Sequence, residues 1–416
     1  MLAPFTTLAI LVTTSLPVSP APLPVGDAPL LPVGSRAEGV IADGDEVVTT
    51  EIIKERYSNA PVLARAWTVQ VETPGRHVID LWGYGFDAYL VLRDADGKVL
   101  AEDDDGLAGT DSRLVVELDA QASYRLEVGA LHGQRGDYEL LLYPGAPEPK
   151  HALLWSERAI EARVHEVFVE EAWKKVDVVQ SKHYLVLTDS GAGKKFGKIL
   201  DEDIYKGFFK SYGLDAPKEH RPLPVYLFNT REAYIEFLVR VVGMTGAQAE
   251  STGGIAFRDY YATSYTSPRD PTHFHECAHQ IMGNLLHLDG GGSWYQEGVA
   301  TYYEDEVKRF NREAETRMLI TTKQSVPLRE LFAAQSMLFS AGEDTKGGGG
   351  AGGMYGEAAS VILFLREGKR KKQFHEFLFA MGTIARSDLD ETERVLQDVY
   401  GISIDELDAE WRKYFD

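Results

Sequence analysis

The hydrophobic period of the chain changes once, at PGAPEP (residues 144–149), and that change limits what can fold on either side of it. Upstream lie short runs rich in β-branched and aromatic residues: AWTVQV (66–71), HVIDL (77–81), YLVL (89–92), LVVEL (114–118), YRLEV (124–128) and YELLL (138–142). Turn signals separate them at TPG (73–75), DADG (94–97) and HGQRG (132–136). Strands at this spacing predict an all-β antiparallel sandwich or barrel over residues 36–146. Downstream the spacing becomes helical, with Ile160, Val164, Val167/Phe168 and Ala172 on one face of residues 156–176. Two strand-like runs, HYLVLT (183–188) and LPVYLF (223–228), stand between helical stretches, which predicts an α+β, largely helical domain over residues 150–416.

A chain of 416 residues can build two such cores. Its formal charge of −21 offers no basic footprint, so nucleic acid is excluded as a partner. The single cysteine, Cys277, excludes a disulfide framework and an all-thiolate zinc site. Residues 1–35 open with a short apolar run around Leu8 to Val12, followed by proline-rich sequence, although no Lys or Arg precedes the run. They read as an export signal and tail, which predicts a periplasmic, cell-surface or extracellular protein. No segment reaches the ~20 apolar residues of a transmembrane helix, so no membrane span is expected.

The densest chemistry lies in HFHECAH, residues 273–279. Asp270 is an N-cap, Pro271 suits the first helical position, and Gly290 to Gly292 ends the element. Phe274, Cys277/Ala278, Ile281 and Leu285 form an apolar stripe. His275 and His279 stand four apart, so both imidazoles leave one face of the helix, the arrangement for two nitrogen ligands on Zn²⁺. Glu276 lies about 100° round the helix, beside the metal position, where it can take a proton from water. A third histidine further along would need position 285, which is Leu285; His287 and Asp289 would need a sharp return of the chain. Glu297 is the better third ligand. Ser293 and Gln296 predict a capping box for its helix, and Gly298 and Ala300 remove bulk so that this helix can approach the first. His273 reads as a surface or capping histidine, and Cys277 as an inert buried thiol. SGAGK (190–194) lacks the residues of a phosphate loop and reads as a turn before a helix, GGGGAGG (347–353) reads as a flexible loop, and the basic run 369–373 reads as a solvated helix end.

HExxHQ followed by W-x-x-E-G-x-A-x-Y-x-E, from His275 to Glu304, resembles the gluzincin (peptidase MA-like) metallopeptidases, the group with thermolysin-like and aminopeptidase-N-like enzymes. The resemblance implies a gluzincin-type domain in which His275, His279 and Glu297 hold zinc and Glu276 is the general base. Glu304 would orient a ligand imidazole or face solvent. MYGEAASVILFL (354–365) is similar to the Tyr-x-x-Gly-Ala-Ser-Val helix of the aminopeptidase-N-like enzymes, with Ala358 at their glycine, which implies that Tyr355 donates to the oxyanion. Their Gly-Ala-Met-Glu-Asn stretch is missing from TGGIAFRDYY (252–261), where an edge strand could instead pair with an extended peptide.

Upstream, FDAYLVLRDADGKVL (86–100), EDDD (102–105), DSR (111–113), YRLEV (124–128) and GDY (136–138) resemble the bacterial pre-peptidase C-terminal domain. That resemblance implies a β-sandwich accessory module, here placed before the catalytic candidate. Asp103, Asp104 and Asp105 would ligate Ca²⁺ or form a solvated acidic turn. The expectation is therefore zinc-dependent hydrolysis of peptide bonds in a peptide or protein substrate, as an endopeptidase. A silent zinc-bearing binding protein and a zinc hydrolase of another substrate are the alternatives.

Overall fold

The computed structural model describes residues 28–57, 61–104, 106–107, 110–145, 154–218, 220–257, 259–308, 312–334, 351–384 and 388–416. Of the residues 1–35 read as export signal and tail, 1–27 lie outside that set, as do Asp105, most of the linker and most of the glycine loop.

The N-terminal region is two facing sheets. Its elements are β1 (Leu30–Pro32), β2 (Ser35–Ile41), β3 (Glu46–Val48), α1 (Glu51–Arg56), β4 (Val62–Gln70), β5 (Gly75–Gly83), β6 (Ala88–Arg93), β7 (Val99–Asp103), β8 (Ser112–Leu118), β9 (Ser123–Ala130) and β10 (Gly136–Pro144). One sheet runs β1-β4-β9-β6-β7 with β3 also on β4; the other runs β2-β10-β5-β8. Every pair is antiparallel except β1 with β4. Alternate residues meet between the sheets: Leu90, Leu92, Leu126 and Val128 from one, Ile79, Leu81, Leu140 and Leu142 from the other. The six longest-patterned runs in the sequence became β4, β5, β6, β8, β9 and β10. The other four strands are short or, like SRAEGVI of β2, lack alternation.

The second region begins with α2 (Glu157–Val167). Its N-cap is Ser156, whose hydroxyl accepts the N–H of Ala159 at 3.1 Å. The helix predicted to reach residue 176 stops at Phe168, which is extended (φ −103°, ψ 151°), and a separate 3₁₀ turn covers Glu170–Lys175. Phe168 is buried against Phe228, ring centroids 5.1 Å apart, and tertiary packing there overrides the helical spacing. There follow β11 (Asp177–Gln180), β12 (Tyr184–Thr188), α3 (Gly193–Ile199), α4 (Lys206–Tyr212), β13 (Leu223–Phe228), α5 (Arg231–Phe237), α6 (Gly246–Ser251), β14 (Gly254–Phe257) and β15 (Tyr260–Ser264). The strands form one sheet, β11-β12-β13-β15-β14, with β12, β13 and β15 parallel and antiparallel strands at both edges.

Both faces of that sheet are covered, which is why its inner strands are continuously apolar. Tyr184, Val186, Val225, Leu227 and Tyr261 face a helical layer. That layer comprises α7 (Pro271–Asn284), α8 (Gly292–Lys308), α9 (Arg312–Thr321), α10 (Leu328–Ala333), α11 (Ala351–Glu367), α12 (Phe374–Gly382), α13 (Leu389–Tyr400) and α14 (Ile404–Phe415). Leu185, Leu187, Tyr226 and Phe228 point the other way, into a cluster with Trp155 and Val164 that also takes in Val78, Trp82, Tyr84, Leu141 and Tyr143 of the N-terminal region. The two regions therefore share one continuous apolar cluster. Arg221 is stacked within it, its guanidinium carbon 4.2 Å from the Trp82 ring and 3.8 Å from Trp155, and it pairs with Glu139.

Candidate metal centre

Helix α7 is built as its sequence suggests at the N-terminus and differently at its end. The Asp270 carboxylate accepts the N–H of Thr272 at 3.0 Å, and Pro271 opens the helix. The helix ends at Asn284, well before the glycines, and His287 turns the chain in the left-handed region at φ 53°. Gln296 does not close a capping box; its amide donates to the carbonyls of Leu288 (2.8 Å) and Gly290 (2.7 Å) and pins the return. Gly298 does not admit α7. A Cβ there would stand 3.0 Å from the Ala358 carbonyl oxygen, so the glycine lets α8 close on α11.

This return brings three ligand atoms together. His275 Nε2 lies 3.0 Å from Glu297 Oε2 and 3.2 Å from His279 Nε2, and His279 Nε2 lies 3.4 Å from Glu297 Oε2. A ring nitrogen has one lone pair or one proton, aimed in one direction, so three mutual contacts cannot all be hydrogen bonds. Tetrahedral ligands at ~2.0–2.1 Å from zinc are separated by about 3.3 Å, the size of this triangle. Among the described residues these three are the one group of His, Cys, Asp and Glu that could hold an ion. The donor set and its spacing fit Zn²⁺. Glu304 Oε2 lies 3.3 Å from His275 Nδ1, the ring nitrogen that does not face the triangle. Burial alone would lower the His275 pKa, but Glu297 and Glu304 prevail and push it up to about 10. Glu297 is held well below the usual carboxylate range, since His279 and His275 outweigh the effect of burial.

Glu276 is buried beside the triangle. Burial lifts its carboxyl above the usual range, against the pull of His275, His279 and a backbone hydrogen bond from Ala256. Tyr355 also stands near the triangle, its ring centroid 6.2 Å from that of His275. Burial, with Glu297 and Glu276 nearby, raises its phenol and keeps it a neutral donor. All of these side chains line one cleft of about 600 Å³, walled by Gly253 to Ala256 of the β14 edge on one side and by Ser293, Gln296 and Asp289 on the other. Asp289 and His287 stay outside the ligand group.

Other expectations are corrected. His273 is fully buried, not superficial: its ring contacts the Tyr261 hydroxyl (3.1 Å) and the Ser267 carbonyl (3.0 Å) and takes no part in the metal group. The calcium reading finds no support. Asp103 Oδ2 already accepts the N–H groups of Gly106 and Arg113, each at 2.8 Å, and Asp104 accepts the Tyr57 hydroxyl. Lys369 and Arg370 are not simply solvated, since both pair with Glu410. Sequence reasoning missed Gln280, buried next to His279. Only the Q of HExxHQ marked it, and its two carbonyl partners are remote in sequence.

No family model and no curated protein matches the chain. Among solved structures, the pre-peptidase C-terminal domain of a Bacillus anthracis collagenase is similar over 28% of this chain and 94% of its own, at 16% identity and TM-score 0.22. An M1 zinc metallopeptidase mutant from Deinococcus radiodurans, bound to a Tyr-Ser-Ala substrate, is similar over 85% of this chain and 90% of its own, at 15% identity and TM-score 0.36. Native yeast LTA4 hydrolase is similar over 86% of this chain and 65% of its own, at 10% identity and TM-score 0.35. None of these values assigns the chain to a family.

Proposed function

We propose that the chain is a zinc-dependent peptidase of gluzincin type that cleaves internal peptide bonds. The observation that carries this reading is the triangle of His275, His279 and Glu297 with a buried carboxylate, Glu276, beside it in an open cleft. His275, His279 and Glu297 would hold the ion, which supplies Lewis acidity toward water and the scissile carbonyl. Glu276, with its affinity for protons raised by burial, takes the proton of the attacking water and passes it to the leaving amine. Tyr355 donates its hydroxyl proton to the oxyanion in a hydrogen bond. Glu304 holds the His275 ring in the tautomer that turns Nε2 toward the ion.

The outer edge of β14, an edge strand of its sheet, suits an extended substrate, whose backbone would add a further strand at the cleft. Internal cleavage is favoured because that wall carries no carboxylate to hold a free amine: Asp259, next in the chain, is bound by Arg163. On the apolar run from Leu8 to Val12 we also place the working enzyme outside the cytoplasm.

Bound zinc and cleavage of a mixed peptide library, read by mass spectrometry for the unaltered chain and Glu276→Gln, test the reading. Zinc near one per chain in both is expected, with turnover reduced about 10²–10⁴-fold in the variant. Full turnover by Glu276→Gln would remove the mechanism. Zinc without cleavage by either protein would leave a binding protein.

A further inference from the structure

The β14 edge is held against Glu276 with little tolerance. A Cβ at Gly254 would stand 2.6 Å from Thr272 Cγ2 and 2.9 Å from Glu276 Cγ, so strand and helix touch backbone to side chain. The strand itself is short and paired on one side only, Gly254 with Thr263 through Phe257 with Tyr260. β15 is paired to β13 on its other side, but β14 has only this four-position ladder, which is weak support for an edge strand. Something outside the hairpin must hold it.

Two buried side chains meet at Asp259, where the chain turns back into β15. Arg163 of α2 grips the Asp259 carboxylate with both ends of its guanidinium, at 3.0 and 2.6 Å, and donates to the Tyr226 hydroxyl of β13 at 2.6 Å. Gln280 of α7 donates one amide proton to the Asp259 carbonyl and the other to the Pro224 carbonyl of β13, both at 2.8 Å. It follows His279 directly, so the helix that carries the metal triangle is bolted to the sheet and to the hairpin by one residue. Tyr84 of the N-terminal region stands over Arg163, its ring 5.1 Å from the guanidinium, and Trp155, just before α2, lies 5.0 Å from it.

We propose that Arg163 and Gln280 are positioning residues that hold the β14–β15 hairpin in register against Glu276, with the β-sandwich closing over Arg163 to keep it dry. The ion pair is bidentate and buried, where guanidinium–carboxylate geometry is most directional. Gln280 donates to a carbonyl on each of two elements, Pro224 of β13 and Asp259 at the hairpin turn, so its loss leaves both acceptors without that donor at once. The inference rests on the hydrolytic reading only for its effect on turnover; the register of the hairpin is separate.

The experiment uses the full chain with zinc bound and three variants: Gln280→Met, Asp259→Asn, and Arg163→Met combined with Asp259→Asn. The last removes the buried charge along with its partner and so protects folding if the single variants are unstable. Hydrogen exchange of amides in residues 254–264 reads the hairpin, and kcat and KM on a peptide substrate read its consequence. Tyr124→Phe, which loses a bond from the Asp119 N–H within the β-sandwich, controls for general destabilisation. Exchange at least ~10-fold faster in the hairpin is expected, with kcat lower by roughly 10–100-fold, zinc content unchanged, and neither effect in the control. Unchanged exchange in the folded variants overturns the proposal, as does a loosened hairpin with undiminished kcat. If the unaltered chain cleaves nothing, the hydrolytic reading falls and the exchange result still decides the positioning role.

Discussion

Among the described residues two pairs of histidines touch through ring nitrogens, and their surroundings set opposite fates for them. His275 and His279 meet at 3.2 Å, His183 and His220 at 2.9 Å. The first pair faces Glu297, with Glu304 behind it, and the His275 pKa rises to about 10. In the second pair His220 Nδ1 donates to the Arg221 carbonyl, which leaves its Nε2 to accept from His183, so two neutral rings satisfy one another. The nearby Asp201 carboxylate is engaged instead by the N–H groups of Lys182 and His183 and by the Ser181 hydroxyl. Burial, followed by the neighbouring His220, pushes His183 down to about 4. The difference lies in where lone pairs go. In the candidate metal group the ring nitrogens converge on a shared point; in the other pair the His220 Nε2 lone pair is met by the His183 proton.

The comparison is broken most sharply by Glu297→Ala, which turns the first pair into something like the second. Bound zinc should fall from about one per chain to below ~0.1, and hydrolysis should vanish with it, as metal analysis and a peptide assay would report. Retained stoichiometric zinc would mean that another group completes the site. A smaller effect is expected from Glu304→Gln, which keeps the triangle but weakens the hold on His275 Nδ1. Zinc affinity should drop by roughly 10–100-fold in a chelator competition.

The second pair is sharpened by pH. His183 ordinarily titrates near 6.5 but near 4 in the folded chain, so below about 6.5 the unfolded chain binds more protons than the folded one. Stability from this group is complete above pH 6.5 and is lost as pH falls toward 4. His183→Phe keeps a ring stacked on Tyr205, now 3.7 Å away, and should flatten the fall of Tm across that window relative to the unaltered chain. Identical slopes would show that the pair does not titrate there. The smallest effect concerns the acidic turn. Asp103→Ala orphans the N–H groups of Gly106 and Arg113 and should cost about 1–2 kcal/mol in denaturant unfolding, with calcium leaving Tm unchanged in either protein. A calcium-dependent rise in Tm that Asp103→Ala abolishes would restore a cation there.

Much of the candidate site was legible because its signals are local. The spacing of His275 and His279 is a property of one helix, as are the Asp270 cap and Pro271. β13 occupies the residues of its apolar run, Leu223–Phe228, because a strand buried on both faces is apolar throughout. Signals that depend on a partner were misread. Gln296 and Ser293 have capping-box spacing, yet Gln296 found better acceptors in the return loop. Gly298 marked a close approach without saying which helix approached.

What the sequence by itself determined is therefore the set of elements and the residue types that carry chemistry, since helix and strand periods and metal-ligand spacing are short-range. Only the tertiary structure decided which lone pairs remain unsatisfied. Glu297 reaches the two imidazoles because Gln296 pins the turn before it. Asp103 Oδ2 accepts the N–H of Gly106 in its own turn and that of Arg113 on β8. Glu276 meets the β14 edge because Arg163 and Gln280 converge on Asp259 from elements more than a hundred residues apart. Hydrogen-bond satisfaction is a balance over the whole fold, and no window of sequence contains it.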